Sequence, residues 1–258
     1  MSPFVINKVS DPIFSPIGTP FLELIEIAST NSYAIEMIQA NLAEHGTTYF
    51  AHSQTAGKGQ RGKQWLTEPG SNIIISCVID TSFLTINHQF SFSVCVALAC
   101  KDFLTRHAGE ETAIKWPNDI YWRDRKAAGL LIETIIRGQE WQWAVVGIGM
   151  NINQTTFPTE LKKPVSLKQI TGKSFDAVTL SKELCACLEA RYQQLKQGNY
   201  TKQLEEYNRH LFRLNEKVLL RKGNITFEAN IKGVNEYGEL LVDNALQDSF
   251  SFGEVAWV

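Results

Sequence analysis

The chain has 258 residues, 44% of them hydrophobic and 20% charged, with a formal net charge of −2. That length accommodates one large unit plus a small one with a sizeable core, and the near-neutral balance excludes a bulk nucleic-acid binder, which needs a positive field to draw phosphate. No apolar run approaches the ~18 residues of a membrane span, and the N-terminus lacks a basic region followed by an apolar signal core, so a soluble, unexported chain without a membrane partner is expected.

Residues 1–20 carry Pro3, Pro12, Pro16 and Pro20 with Gly18, too many breakers for a regular helix, and read as an irregular arm. Residues 21–27 partly alternate like a half-buried strand and run into Ser29-Thr30-Asn31-Ser32, a cluster of helix N-cap residues. Ala34, Met37, Ile38 and Leu42 repeat at helical spacing, with Gly46 closing the helix. The extended run 47–51 then leads into Gln54-Thr55-Ala56-Gly57-Lys58-Gly59-Gln60-Arg61-Gly62-Lys63-Gln64-Trp65. Its glycines permit close backbone approach and its basic side chains favour a phosphate or carboxylate. Gly57-x-Gly59-x-x-Gly62 fits a dinucleotide fingerprint and Gly57-x4-Gly62-Lys63 a P-loop, but each requires the turn to open a helix facing the phosphate. Here Trp65 leads into Leu66-Thr67-Glu68-Pro69-Gly70, and Gln64 occupies the place of the magnesium-binding Ser or Thr. A flexible covering loop is expected instead, with a solvated basic turn as the plainer alternative.

Residues 72–80 read as a buried strand, 90–106 as a helix ending before Gly109, and 112–116 as a strand stopped by Pro117, with Asn118-Asp119 as the turn. Residues 128–136 and 141–148 are strands joined by a hairpin at 137–140. Residues 151–164 hold Thr, Asn, Gln and two prolines and read as a second mobile loop, followed by packing helices at 178–196 and 200–212. From about residue 215, short strands at 217–221, 225–234, 240–242 and 249–252, separated by tight turns, fit a small β-barrel. The five cysteines form no Cys-x-x-Cys pair and sit in apolar segments, the pattern of buried reduced thiols in a cytoplasmic protein.

The glycine-rich loop, Lys115-Trp116-Pro117-Asn118-Asp119, Lys126-Ala127-Ala128-Gly129 and Gly147-Ile148-Gly149-Met150-Asn151 together resemble the signatures of biotin protein ligases, in family order and at family-like separations, from about residue 25 to the C-terminus. The resemblance implies an α+β fold, a mixed β-sheet with flanking helices (the class II synthetase-like biotinyl/lipoyl ligase fold) plus a small C-terminal SH3-like β-barrel. The corresponding division is an arm at 1–20, a catalytic biotin- and ATP-binding domain at 21–213, and a barrel at 214–258 that helps handle ATP and the carrier. The implied activity is ATP-dependent activation of biotin as biotinyl-5′-AMP and its transfer to a lysine of a biotin carboxyl carrier protein domain. Twenty proline-interrupted residues cannot make the helix-turn-helix that some biotin ligases carry, so no DNA partner is expected. Homodimerisation through an exposed sheet edge stays open.

Activating a carboxylate on a polyphosphate brings two anions together, a repulsion that fixed cations offset. By resemblance, Lys126 bridges biotin's carboxylate and the α-phosphate, while Lys58 and Arg61 hold the acyl-phosphate and leaving group. Ser29, Thr30 and Asn31, beyond any capping role, pair with the ureido ring. Gln54 contacts biotin, Gly57 and Gly59 let the loop close over it, and Gln60 and Gly129 complete that subsite. Gly129, Gly147 and Gly149 leave room for ligand beside the strand ends. Trp65, Asn118 and Asn151 serve the nucleotide side, with Phe157 as an apolar lid against adenine. Asp119 has three readings: orienting Lys126 or Lys115, accepting a proton from the carrier lysine, or turn chemistry alone. Lys58 and Gln60 stand where the family's loop commonly has arginines; lysine keeps the charge without the bidentate fork, and Gln60 loses it. Magnesium is expected to arrive with ATP rather than in a protein carboxylate cage. A lipoate-type ligase, a non-catalytic biotin or nucleotide sensor and a P-loop phosphotransferase are the rival readings.

Overall fold

Two strands from the middle of the chain, β4 (Ile73–Asp80) and β8 (Glu140–Met150), pair antiparallel at the centre of an eight-stranded mixed sheet in the computed structural model, which describes residues 4–5 and 16–258. The sheet order is β1-β2-β3-β4-β8-β7-β6-β5, the remaining strands being β1 (Phe4–Val5), β2 (Phe21–Ile27), β3 (Thr48–Gln54), β5 (Thr112–Lys115), β6 (Asp119–Trp122) and β7 (Arg125–Arg137). Only β2 and β3 run parallel. Side chains alternate across a strand, so Ile73, Ile75, Cys77 and Ile79 of β4 share one face with Val146, Ile148 and Met150 of β8, all within the larger apolar core. That face is covered by α2 (Gln89–Ala108) and α4 (Ala177–Lys196). The opposite face presents Ile74, Val78 and Val145 to α1 (Thr30–Gln39) through Ala34 and Ile38. Each fully buried aliphatic side chain in these layers contributes about 1.5–3 kcal/mol of transfer free energy before chain entropy is set against it.

Several boundaries differ from the sequence expectation. The first helix stops at Gln39, because Asn41 turns into the left-handed region (φ 55°) and leaves Leu42 exposed. Gly46 therefore does not close the helix; it lies in the turn before β3, where its N–H donates to the Val78 carbonyl. Asn118 ends the turn, and Asp119 already begins β6, a strand not anticipated. A short helix, α3 (Leu167–Thr171), is nucleated by a reciprocal Ser166–Gln169 capping box. The helix α5 (Tyr200–Arg209) ends before residue 212 because residues 210–212 instead pair with β5: Ile114 N–H donates to His210 O, and Phe212 N–H to Ile114 O, each at 2.8 Å. Residues 210–212 thus cover the β5 edge at Ile114.

The C-terminal residues form a second, five-stranded antiparallel sheet ordered β12-β11-β10-β9-β13, from β9 (Lys217–Lys222), β10 (Ile225–Val234), β11 (Leu240–Asp243), β12 (Ser249–Phe250) and β13 (Ala256–Trp257). The strand β13 was not expected from the sequence. Of the irregular arm at 1–20, residues 1–3 and 6–15 lie outside the described residues; Phe4–Val5 pairs with β2, and Ile17 is fully buried. All five cysteines are buried and free, and among the described residues no helix is long and apolar enough to cross a membrane.

Candidate active site

Where β2 ends and α1 begins, three polar residues are buried together: Ser29, Thr30 and Asn31 are each 3–4% exposed. Ser29 occupies the N-cap position but makes no side-chain cap hydrogen bond. The cap comes from across the sheet, where Gln54 Oε1 at the end of β3 accepts from Thr30 N (2.7 Å) and Thr30 Oγ1 (3.1 Å). Asn31 is fixed by donating to Glu133 Oε2 (2.7 Å) and to the Leu131 carbonyl (3.3 Å) of β7. Ser76, the one hydroxyl in the apolar run of β4, lies within hydrogen-bond distance of Thr30 Oγ1 and Asn31 Oδ1. With its carbonyl engaged, Gln54 keeps its amide N–H groups as donors, and the Ser29 hydroxyl is not consumed by capping.

This polar end opens over a strip of β-strand without side chains. On the face shared with α1, β8 carries Gly147 and Gly149; Gly147 is opposite Ser76, and Gly149 lies between Ile74 and Gly129. A Cβ on Gly147 would collide with the Asn31 amide, and one on Gly149 with the Trp65 indole, while one on Gly129 would stand 3.0 Å from that indole. The room these glycines provide is therefore filled in part by the protein's own Asn31 and Trp65, a correction to their expected role as space for ligand alone. Trp65 lies on the glycine strip with its Nε1 buried and without a hydrogen-bond partner.

The loop above the strip is shaped by its own backbone. Gly59 N–H donates to Lys63 O (2.7 Å) and Trp65 N–H to Gly57 O (3.0 Å), so the segment folds back as a narrow hairpin around a single 3-10 turn at Gln60–Gly62. No helix follows, as the rejection of both nucleotide templates required. Gly57 has to be glycine because a Cβ would sit 2.6 Å from Trp65 O and 2.8 Å from Gln54 Nε2.

The cationic end is built by an irregularity. Asp119 pairs with Gly129, but a bulge shifts the register so that Tyr121 pairs with Lys126, skipping Ala127. In a regular strand Lys126 and Gly129 would point to opposite faces; the bulge turns Lys126 onto the face of Asp119. Lys126 Nζ meets Asp119 Oδ1 at 2.7 Å and lies 5.7 Å from the Trp65 ring. Its backbone is clamped by residues 163–165: Lys126 N–H donates to Lys163 O and Val165 N–H to Lys126 O.

A cavity joins these parts, lined by Ser29, Thr30, Asn31, Gln54, Lys58, Gly59, Gln60, Trp65, Asn118, Lys126, Gly129, Gly147 and Gly149, with Ile74 and Leu131 on the same face of the sheet as apolar walls. Five expected residues are placed otherwise. Gly57 lines an adjoining cavity with Trp65, Gln154 and Pro158. Asp119 reaches the site through Lys126. Asn151, 4% exposed, donates its side-chain amide to Val165 O (3.2 Å) and Lys126 O (3.4 Å), supporting the clamp behind Lys126. Arg61, in the left-handed region at φ 56°, donates from Nη1 to Gly253 O at 3.2 Å, on the C-terminal sheet. Phe157 lines neither cavity. Sequence reasoning missed Ser76 and Glu133; a lone serine opposite a glycine in an otherwise apolar strand was the available signal. Lys115, opposite Asp119 in the β5–β6 hairpin, lies 4.6, 5.4 and 5.0 Å from the rings of Tyr121, Phe212 and Trp257, and burial lowers its pKa to about 8 while Asp119 opposes the shift.

A search for related proteins agrees with this architecture. The chain is 29% identical over 220 residues to the bifunctional ligase/repressor BirA of Bacillus spizizenii, covering 84% of this chain and 67% of that protein. It is 27% identical over 222 residues to the biotin--[acetyl-CoA-carboxylase] ligase of Paracoccus denitrificans, covering 84% and 92%. In fold it superposes on the biotin protein ligase of Aquifex aeolicus, solved in complex with biotin and ATP, with a TM-score of 0.75 at 24% identity over 91% of this chain and 96% of that one. Residues 24–151, which carry the cavity's polar end, covering loop, bulge and glycine strip, match the biotin/lipoate A/B protein ligase family and form a domain of that family.

Proposed function

We propose that this protein activates biotin with ATP as biotinyl-5′-AMP and transfers the biotinyl group to a lysine of a biotin carboxyl carrier domain. The observation that carries the reading is one cavity with hydrogen-bonding groups at one end and the Lys126–Asp119 pair at the other, under the glycine loop. The Gln54 amide and Ser29 hydroxyl suit a cyclic urea, and Trp65 over the glycine strip suits the flat bicyclic body. An apolar dithiolane would leave those buried polar groups unpaired, which disfavours lipoate.

In the first step a carboxylate oxygen of biotin attacks the α-phosphorus of ATP and pyrophosphate leaves. Lys126, held by Asp119 and by its clamped backbone, offsets the charge gathering between carboxylate and phosphate, with Lys58 as the second cation of the cavity. In the second step the carrier lysine attacks the acyl carbon, AMP leaves, and the amine proton passes to Asp119 or solvent. Magnesium enters with the polyphosphate; among the described residues no group of three or more His, Cys, Asp or Glu is placed to hold a metal ion. Asn118 and Asn151 serve the nucleotide side, Asn118 directly from the cavity wall and Asn151 through its hold on Lys126. Five buried free thiols support work in a reducing cytoplasm.

Mass spectrometry of the protein quenched after incubation with magnesium-ATP and either biotin or lipoate tests this. Biotinyl-adenylate alone is expected. Lipoyl-adenylate alone would move the site to the other branch of the family, and biotin binding without an adenylate would make the protein a sensor.

A further inference from the structure

Arg61 stands in the glycine loop among residues expected to face phosphate, yet its guanidinium turns the other way. Its Nη1 donates to Gly253 O at 3.2 Å, and its Cζ lies 6.0 Å from the Phe252 ring. Both partners belong to the turn after β12. That turn is internally braced: Glu254 N–H donates to Ser251 O, the Glu254 carboxylate accepts from Ser251 N–H at 2.8 Å, and Lys222 pairs with the same carboxylate. Gly253 lies at φ 89°, a conformation that favours glycine, and a Cβ there would stand 3.1 Å from Arg61 Nη1, so the guanidinium packs closely on this turn. Phe252 meets Trp116 edge-on at 6.3 Å, and Trp116 in turn donates from Nε1 to Gly238 O. One turn of the C-terminal sheet therefore touches both signature segments, the covering loop through Arg61 and the Lys115–Asp119 segment through Trp116.

The backbone of the loop is consistent with an external hold. Arg61 and Gly62 are consecutive left-handed residues at φ 56° and 74°, a conformation a non-glycine residue keeps only where surrounding contacts impose it. The hydrogen bonds inside the loop close the hairpin at Gly59–Lys63 and Gly57–Trp65, below its tip. At the tip, Lys63 N–H donates to Gln60 O at 3.2 Å across the 3-10 turn, and Arg61 ties that turn to the C-terminal sheet. Its neighbour Gln60 lines both the cavity and the groove between the two sheets, so the position of the tip sets how far the cavity is covered.

We propose that the Phe252-Gly253 turn of the C-terminal sheet is a latch for the glycine loop, and that Arg61 is a positioning residue that holds the loop over bound biotin rather than a ligand of the phosphates. The proposal rests on reading residues 57–65 as the cover of a biotin site, and its test separates the two. Amide hydrogen exchange of the ligand-free protein reports the latch without any substrate. In Arg61→Ala and in Phe252→Ala the Gly59 and Trp65 amides should exchange about threefold to tenfold faster, and in the double variant no faster than in either single one, as expected of two groups in one contact. Arg61→Lys, which keeps a donor but not the planar fork, should fall between. Stopped-flow biotin release should accelerate in the same rank order while the association rate stays near that of the parent. Unchanged amide exchange, effects that multiply in the double variant, or a lower adenylation rate at saturating biotin with unchanged loop exchange would each overturn the latch, the last by returning Arg61 to the phosphates. A parent protein that forms no biotinyl-adenylate would defeat the functional reading alone, leaving the exchange result to decide the latch.

Discussion

At the scale of single residues, the cavity holds two cations rather than the three or four its loop sequence suggests. Lys58 and Lys126 line it, while Arg61 turns to the C-terminal sheet and Gln60, which also lines it, is neutral. Two lysines carry charge without the guanidinium fork, and in the proposed reaction Lys126, the one oriented by a carboxylate at 2.7 Å, is assigned most of the electrostatic work. Lys126→Ala should lower the rate of biotinyl-adenylate formation by about 10²–10³-fold, as removal of a preorganised charge donor does elsewhere. Lys63→Ala, outside the cavity, should change it little; a larger loss at Lys63, measured by pyrophosphate release, would revive the P-loop reading. The neutral Gln60 has a converse consequence. Gln60→Arg adds one charge-assisted hydrogen bond toward the acyl-phosphate and should slow dissociation of preformed biotinyl-adenylate by roughly tenfold, read by filter binding with labelled intermediate; an unchanged off-rate would mean that Gln60 does not face the phosphate.

At the scale of elements, the site depends on strands that lack side chains on one face. Alternation in β8 puts Val145, Gly147 and Gly149 toward α1 and the loop, and Val146, Ile148 and Met150 toward α2 and α4. The same strand thus packs a core on one side and lines the cavity on the other. Gly147→Ala would drive a methyl group into the Asn31 amide and break its contacts with Ser76 and Glu133. Biotin affinity should fall by about ten- to a hundredfold, the cost of one or two buried polar groups left unpaired, with the far-UV circular dichroism unchanged. Calorimetry showing parental affinity would remove the Ser29–Asn31 corner from the binding site.

At the scale of the whole molecule, Lys115 joins the two sheets: it stands on β5 opposite Asp119, and Trp257 of β13 forms part of its aromatic enclosure. Burial lowers its pKa to about 8. Between that value and the ordinary lysine value of about 10.4, the unfolded chain holds a proton that the folded one has released, so this group's contribution to stability rises with pH across the window. Relative to Lys115→Met, the parent should therefore gain in melting temperature as pH is raised from about 7 to about 10; parallel pH curves for the two proteins would show that the enclosure does not shift the lysine. Much of the molecule was legible in advance. The central strands, the α2 and α4 helices and the non-helical exit of the glycine loop follow from local signals, because periodicity and breakers act over a few residues, whereas the grouping of Ser29–Asn31, Gln54, Lys58, Trp65 and Lys126, which line one cavity, was an expectation from the family resemblance. Three features did not follow, for a common physical reason. The strand bulge that turns Lys126 onto the face of Asp119, the termination of α5 by pairing with β5, and the direction of Arg61 are each set by pairing with another segment rather than by the residues alongside. Gly129 and Tyr121, Ile114, and Gly253 supply those partners, and a sequence carries no local mark of a contact that exists only once the chain has closed on itself.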